Sequence, residues 1–162
     1  MDKQMVQVLS SIHFAERYEA LCNQYSYNFR KRFVNYDNNH VLDIFREIGY
    51  QVKFHKRENF FQSVRKVGVY QFKYNISIKS GGVELIWYVM KNNKYYTGDI
   101  FSDLEYDLLN LKHRRSLPIF RNYEDLRGIL TIAFRMYEDM TAAFLRVYRE
   151  VSQEDESSVI SP

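Results

Sequence analysis

The four histidines of this chain could act as metal ligands or general bases, because neutral imidazole can do both. The histidines are His13, His40, His55 and His113. None of them has a second histidine or a cysteine at the spacing of a zinc site. His40, Asp43 and Glu47 stand at i, i+3 and i+7 of a predicted helix, so they could share a face and hold a metal. The same pattern is far more typical of a solvated helix face, and we predict no metal site.

Motifs for phosphate binding and for nucleophilic catalysis are absent from the sequence. It contains neither G-x-x-x-x-G-K, G-x-G-x-x-G nor G-x-S-x-G. Cys22 lies in a predicted amphipathic helix without a neighbouring histidine or lysine, which favours a buried structural thiol over a nucleophile. We therefore predict a protein that is not an enzyme and holds no cofactor.

A cationic segment at residues 112–115 offers the first candidate binding residues, which are Lys112, Arg114 and Arg115. An arginine fork binds a carboxylate or a phosphate through two parallel hydrogen bonds. We predict that this loop contributes to a partner-binding surface; the alternative is an ordinary solvated loop.

The segment Val83 to Met90 supplies further candidates, because apolar residues would occupy both faces of a strand there. Such a strand is either central and covered on both sides, or it leaves an aromatic patch for a partner. The sequence leaves both alternatives open. Tyrosine often anchors protein interfaces, and the partner-binding residues predicted here are Ile86, Tyr88, Met90 and, on the returning strand, Tyr95.

The elements that must position these residues follow from hydrophobic periodicity. Apolar steps of three or four residues predict a helix over residues 3–30 and a second from about His40, with Asn38 or Asn39 as N-cap and Gly49 at its end. Alternating patterns then predict strands at residues 50–55, 70–79, 83–90 and 94–100. Residues 58–68 could be a further strand or a loop. The short turns require an antiparallel meander of three to four strands.

Two helices are predicted to follow the meander and to pack on the sheet. Ser102 and Glu105 match a capping box for the shorter one, and Asn122 precedes the longer one. The fold class is therefore α+β, with a single domain over residues 1–151. The acidic, serine-rich residues 152–162 are predicted to be a mobile tail.

Composition bounds the class of protein. Charged residues make up 27% of the chain, and no run of 18 apolar residues predicts a membrane span. A single cysteine and the absence of a signal-peptide pattern lead us to expect a cytoplasmic protein. The net charge of +3 is uneven, with nine basic and three acidic residues between positions 51 and 100. This basic centre could attract an acidic partner or nucleic acid, or be a lysine-rich solvated sheet face.

The layout over residues 40–150 resembles the small immunity proteins of bacterial polymorphic-toxin systems. The similarity includes V-E-L-I-W-Y-V at residues 83–89, Y-Y-T-G-D at 95–99 and P-I-F-R-N-Y-E-D-L at 118–126. It implies a non-catalytic bacterial protein that binds and blocks a cognate toxin, and the basic centre implies a toxin with an acidic binding surface or a non-nuclease activity. No residue-level motif carries over. The alternatives are a nucleic-acid-binding regulator that uses the basic segment and a homodimer.

Overall fold

Along the chain, helices precede and follow the five strands of a sheet. The computed structural model describes residues 1–158, and the side chains of residues 1–149. The helices are α1 Lys3–Ser11, α2 Phe14–Gln24, α3 Asn38–Glu47, α4 Phe101–Leu109 and α5 Tyr123–Ser158, with a 3-10 turn at Phe29–Lys31. The strands are β1 Lys53–His55, β2 Phe60–Val67, β3 Tyr70–Lys79, β4 Gly82–Lys91 and β5 Lys94–Ile100.

The sheet is an antiparallel meander in the order β1-β2-β3-β4-β5. This confirms the predicted α+β class, with one strand more than the three to four expected. The additional strand is β2, which occupies the segment that the sequence left open between strand and loop. The first strand is shorter than predicted and comprises only Lys53–His55. The turn between β4 and β5 has positive φ at Asn92 and Asn93, as its two asparagines suggested.

The helix predicted over residues 3–30 is divided in two and ends at Gln24. His13 adopts the left-handed conformation with a φ of 55°, which interrupts the helical hydrogen bonds between α1 and α2. After α2 the backbone turns away, and the Tyr25 carbonyl accepts a hydrogen bond from Ile119 N–H at 2.9 Å. A contact distant in sequence therefore replaces the continued helix.

Capping differs in detail from the sequence pattern. Asp37 caps α3 by accepting a hydrogen bond from Asn39 N–H at 2.8 Å, so neither Asn38 nor Asn39 is its N-cap. Gly49 follows the helix with a φ of 98°, which confirms the predicted end. The capping box predicted for α4 is wrong: Ile100 is the N-cap without a side-chain bond, and Glu105 is buried and pairs elsewhere.

The core lies between the helices and one face of the sheet, which we call the inner face. Its residues are Phe61, Phe72, Tyr74, Ile76, Ile78, Val83, Leu85, Trp87 and Val89, all of them buried. In the part of the chain whose side chains are described, every ring contact between a helix and a strand involves the inner side of the sheet; examples are Tyr74 with Phe134 at 5.1 Å and Phe72 with Phe144 at 5.4 Å.

Helix α5 is the longest element and extends to Ser158. It thereby enters the segment 152–162 that the sequence assigned to a mobile tail, and residues 159–162 of that segment lie outside the described residues. Among the helices within residues 1–158, none combines the length and the apolar character that crossing a membrane requires.

Candidate binding surface

The second face of the sheet, which we call the outer face, is open. Its residues alternate with those of the inner face along every strand. Apart from Ser77 and Gly82 they are half-buried or exposed, and β3 and β4 form its centre. The outer face consists of Lys53, His55, Phe60, Gln62, Val64, Lys66, Gln71, Lys73, Asn75, Ser77, Lys79, Gly82, Glu84, Ile86, Tyr88, Met90, Tyr95, Gly98 and Ile100.

Four of the predicted partner-binding residues come together on this face. Ile86, Tyr88 and Met90 are half-buried on β4, and Met90 pairs with Tyr95 of β5. Ile86, Tyr88 and Tyr95 line a shallow groove of about 270 Å³ together with Gly98 and Asp99. Pockets that enclose drug-sized molecules occupy about 300–1,000 Å³, so this shallow groove lies below that range.

A β-bulge determines which tyrosine reaches the groove. Val89 pairs with Thr97 and Met90 with Tyr95, so Tyr96 is the extra residue of β5. The Tyr96 ring packs on the inner side, 5.7 Å from the ring of Tyr148. Tyr95 remains on the outer face, where 64% of the residue is exposed.

The Tyr95 hydroxyl is held against the backbone of its own strand. It donates a hydrogen bond to the Gly98 carbonyl at 2.7 Å. Partial burial raises the pKa of Tyr95, and the nearby Asp99 carboxylate adds to this effect. The phenol is therefore neutral and acts as a hydrogen-bonding wall of the groove.

Gly98 forms the floor of the groove and has a φ of 123°. A Cβ atom at this position would overlap the Trp87 carbonyl oxygen and the Tyr88 Cα. Only glycine permits both this backbone conformation and this close approach of β5 to β4.

The lysines of the outer face lie on β1, β2 and β3, away from the apolar residues of β4 and β5. They are Lys53, Lys66, Lys73 and Lys79. Within residues 1–149 the ion pairs are all made by arginines, so these four ammonium groups have no carboxylate partner there. The sequence shows the basic centre but does not assign these lysines to one surface, because only the strand register shows which of them share a face.

Comparisons with protein families, curated proteins and solved structures find no match for this chain. The outer face is therefore interpreted from its own side chains.

The predicted cationic loop lies elsewhere, in the helical layer. Arg115 pairs with the buried Glu105 of α4 at 3.0 Å and with Glu19 of α2 at 3.6 Å. Arg114 pairs with Asp103 of α4. Lys112 is exposed on the same loop. None of the three predicted residues of this loop lines the groove, and two of them already have carboxylate partners.

A polar cavity of about 320 Å³ beside this loop is lined in part by Cys22 and Arg115. Burial is the main cause that raises the pKa of Cys22 to about 11, so the thiol is neutral near pH 7. Its neighbour Tyr18 also has a raised pKa, chiefly because it is buried. Cys22 is therefore not an activated nucleophile in this cavity.

The helix face considered for a metal is engaged in other contacts. His40 stacks on Tyr123 with ring centroids 3.7 Å apart, and Asp43 accepts a hydrogen bond from Arg46 at 2.7 Å. Glu47 pairs with Arg127. Across the described residues, no three histidine, cysteine, aspartate or glutamate side chains form a group that could hold a metal ion.

Proposed function

We propose that this protein is a non-catalytic protein-binding module whose binding surface is the outer face of its sheet. The observation that carries the proposal is the set of half-buried apolar side chains of β4, Ile86, Tyr88 and Met90, on the side of the sheet opposite the helices. An immunity protein that blocks a toxin in the bacterial cytoplasm is the form of this function that the resemblance in layout favours.

The dimensions of the face suit a protein partner. Five strands spaced about 4.8 Å apart span about 20 Å, and strands of ten residues are about 33 Å long. Because β1, β2 and β5 have only three, eight and seven residues, the face covers about 600 Å², somewhat less than the roughly 800 Å² that each partner contributes to a standard protein interface. Tyr88 and Tyr95 at one side of this area are of the residue type that commonly anchors such interfaces.

Nucleic acid is the second candidate partner, and the unpaired lysines of the outer face favour it. Phosphate neutralisation releases counterions, so binding of this kind weakens steeply as salt is raised. Burial of the apolar groove by a protein is much less sensitive to salt. The chemical identity of the captured molecule, together with whether its capture persists at high salt, therefore separates the two candidates.

A tagged pull-down from a lysate of the source cells, at moderate and high salt, tests the proposal. The variant Tyr88→Asp places a charge on the outer face, and Leu109→Asp is its matched control because Leu109 is a 47% exposed apolar residue on α4. We expect a stoichiometric protein to be retained by the wild type and by Leu109→Asp, and its capture to fall at least about tenfold with Tyr88→Asp.

Capture that is equal for both variants would contradict the assignment of the outer face. Recovery of nucleic acid that disappears at high salt would favour the second candidate. A purified wild type that is dimeric by solution mass, and becomes monomeric with Tyr88→Asp alone, would identify the outer face as a homodimer seam.

A further inference from the structure

We infer that the partner of the outer face presents an extended acidic segment in which a bulky apolar side chain lies next to carboxylates spaced two residues apart. This inference rests on the proposed function and specifies the chemistry of the partner.

The charge on the outer face is one-sided. Lys53, Lys66, Lys73 and Lys79 supply four positive charges on β1 to β3, while Glu84 is the one acidic residue that the pairing register of residues 53–100 places on this face. The groove on β4 and β5 has an apolar lining of Ile86, Tyr88 and Tyr95, with Asp99 at its rim. A complementary partner therefore needs an apolar group over β4 and β5, and negative charge over β2 and β3.

The strand register indicates the spacing. Lys73 pairs directly with Tyr88, and its ammonium lies 5.9 Å from the centre of the Tyr88 ring. Val64 pairs with Lys73, and Lys66 pairs with Gln71, so Lys66 and Lys73 are diagonal neighbours. Diagonal neighbours lie about 7–8 Å apart, close to the roughly 6.6 Å between alternate side chains of an extended chain. Carboxylates two residues apart therefore match these two lysines.

The composition of the face favours an acidic protein over nucleic acid. A protein segment can bury a bulky apolar side chain against Ile86, Tyr88 and Met90, which a phosphate backbone cannot do. A second copy of this chain would bring four lysines of its own and few acids, which makes self-pairing a poor electrostatic match.

Selection from a phage library of random dodecamer peptides on the immobilised full chain tests the inference. We expect enriched sequences to be acidic and to contain an aromatic or large aliphatic residue beside the acids. Selected peptides are then synthesised with a fluorophore, and their Kd is measured by anisotropy for the wild type and two variants.

The two variants change net charge equally at different places. Lys73→Glu reverses one charge on the outer face, and Lys112→Glu reverses one on the loop of the helical layer. We expect Lys73→Glu to raise the Kd at least about tenfold and Lys112→Glu to change it less than about twofold. A peptide with a glutamate changed to lysine should regain affinity for Lys73→Glu. Unchanged far-ultraviolet circular dichroism and an unchanged urea midpoint confirm that both variants fold.

Enrichment of neutral or basic peptides, no enrichment, or equal effects of the two variants would overturn the inference. Tight binding of a labelled single-stranded RNA dodecamer, lost with Lys73→Glu, would overturn it in favour of nucleic acid. Lysate capture that depends on Tyr88 but not on Lys73 would retain the proposed function and reject only the acidic partner. Capture that depends on neither residue would reject the proposed function itself.

Discussion

The Arg115 guanidinium donates to both carboxylate oxygens of Glu105: Nε lies 3.0 Å from Oε1 and 3.1 Å from Oε2, and Nη2 lies 3.0 Å from Oε1. The Glu105 side chain has no exposed surface, while that of Arg115 is 25% exposed. The hydrogen bonds to Glu105 raise the pKa of Arg115 above its ordinary value. This pair therefore fastens the loop between α4 and α5 to α4.

Arg115→Ala should lower the free energy of unfolding, because it leaves the Glu105 carboxylate buried without its partner. We expect a loss of about 2–3 kcal/mol in urea unfolding near pH 7. Arg114→Ala is the matched control, since Arg114 is more exposed and pairs with the partly exposed Asp103, and its effect should be much smaller. Equal losses for the two variants would show that the Arg115–Glu105 pair contributes no more to the free energy of unfolding than the exposed Arg114–Asp103 pair.

The same pair explains why one local pattern was misleading. Ser102 and Glu105 have the spacing of a capping box, but the glutamate of a capping box bonds back to the backbone N–H of the N-cap residue, three positions earlier. Here Glu105 faces the interior, and its partner is ten residues later in the chain. Sequence periodicity contains no information about such a contact.

Other parts of the fold and of the candidate surface were accessible from the sequence. The alternation in β3 and the glycine after α3 are local signals, and both predictions are confirmed. The grouping of Ile86, Tyr88 and Met90 on one side of β4 follows from the same alternation. Whether residues 58–68 contain a strand, and which lysines share a face, depends on strand pairing, which local periodicity does not determine.

Gly98→Ala should destabilise the fold for two reasons. The new Cβ would overlap the backbone of β4, and the alanine would have to adopt a φ of 123°. We expect a loss of at least about 2 kcal/mol in the free energy of unfolding, measured with urea. Gly68→Ala is the control, since its φ of 59° is less demanding and no atom lies within 4 Å of the new Cβ. A loss for Gly98→Ala no greater than for Gly68→Ala would contradict the tight approach of β5 to β4.

Asp125 should make stability dependent on acid pH. Its pKa is lowered from the ordinary value of 3.8, chiefly by the side-chain hydrogen bond from Arg121, with a further bond from the Arg121 backbone N–H. A lowered folded-state pKa contributes stability above the unfolded-state value, and this contribution is lost as the pH falls through the folded-state value.

The urea midpoint of Asp125→Asn should therefore lie below that of the wild type near neutral pH. The difference should begin to shrink as the pH falls below about 4, because the unfolded wild type then takes up a proton, and it should be lost once the pH has fallen through the lowered pKa of Asp125 in the folded protein. Asp43→Asn removes an exposed pair with Arg46 and should have little effect throughout. A difference between Asp125→Asn and wild type that is independent of pH would exclude the charge of Asp125 as its cause.

Cys22 should resist alkylation in the folded protein. Burial raises the pKa of its thiol to about 11, and only 4% of the residue is exposed. At about pH 8.5 we expect iodoacetamide to react at least about tenfold more slowly with the native protein than with the protein in urea, followed by mass spectrometry. Equal rates would show that the thiol is accessible and ionised, which would contradict its structural role.

Gly128 and Tyr25 should be energetically coupled. A Cβ at Gly128 would overlap the Tyr25 hydroxyl oxygen and lie 3.1 Å from the Tyr25 Cζ. The Tyr25 backbone is fixed by its hydrogen bond from Ile119, so the ring has little freedom to withdraw. In an unobstructed helix, replacing glycine by alanine stabilises by about 1 kcal/mol. We expect the overlap to cancel this gain in Gly128→Ala.

Tyr25→Phe removes the obstructing oxygen and should restore part of the gain, so the effect of Gly128→Ala should be more favourable in the Tyr25→Phe background. Urea unfolding of the wild type, the two single variants and the double variant measures this difference as a coupling free energy, which we expect to be about 1 kcal/mol. Additive effects would show that α5 and Tyr25 separate enough to accept the methyl group. Gly128 would then only lower the helix propensity of α5. Coupling would instead show that the packing of α5 against the segment that follows α2 requires a glycine at this position.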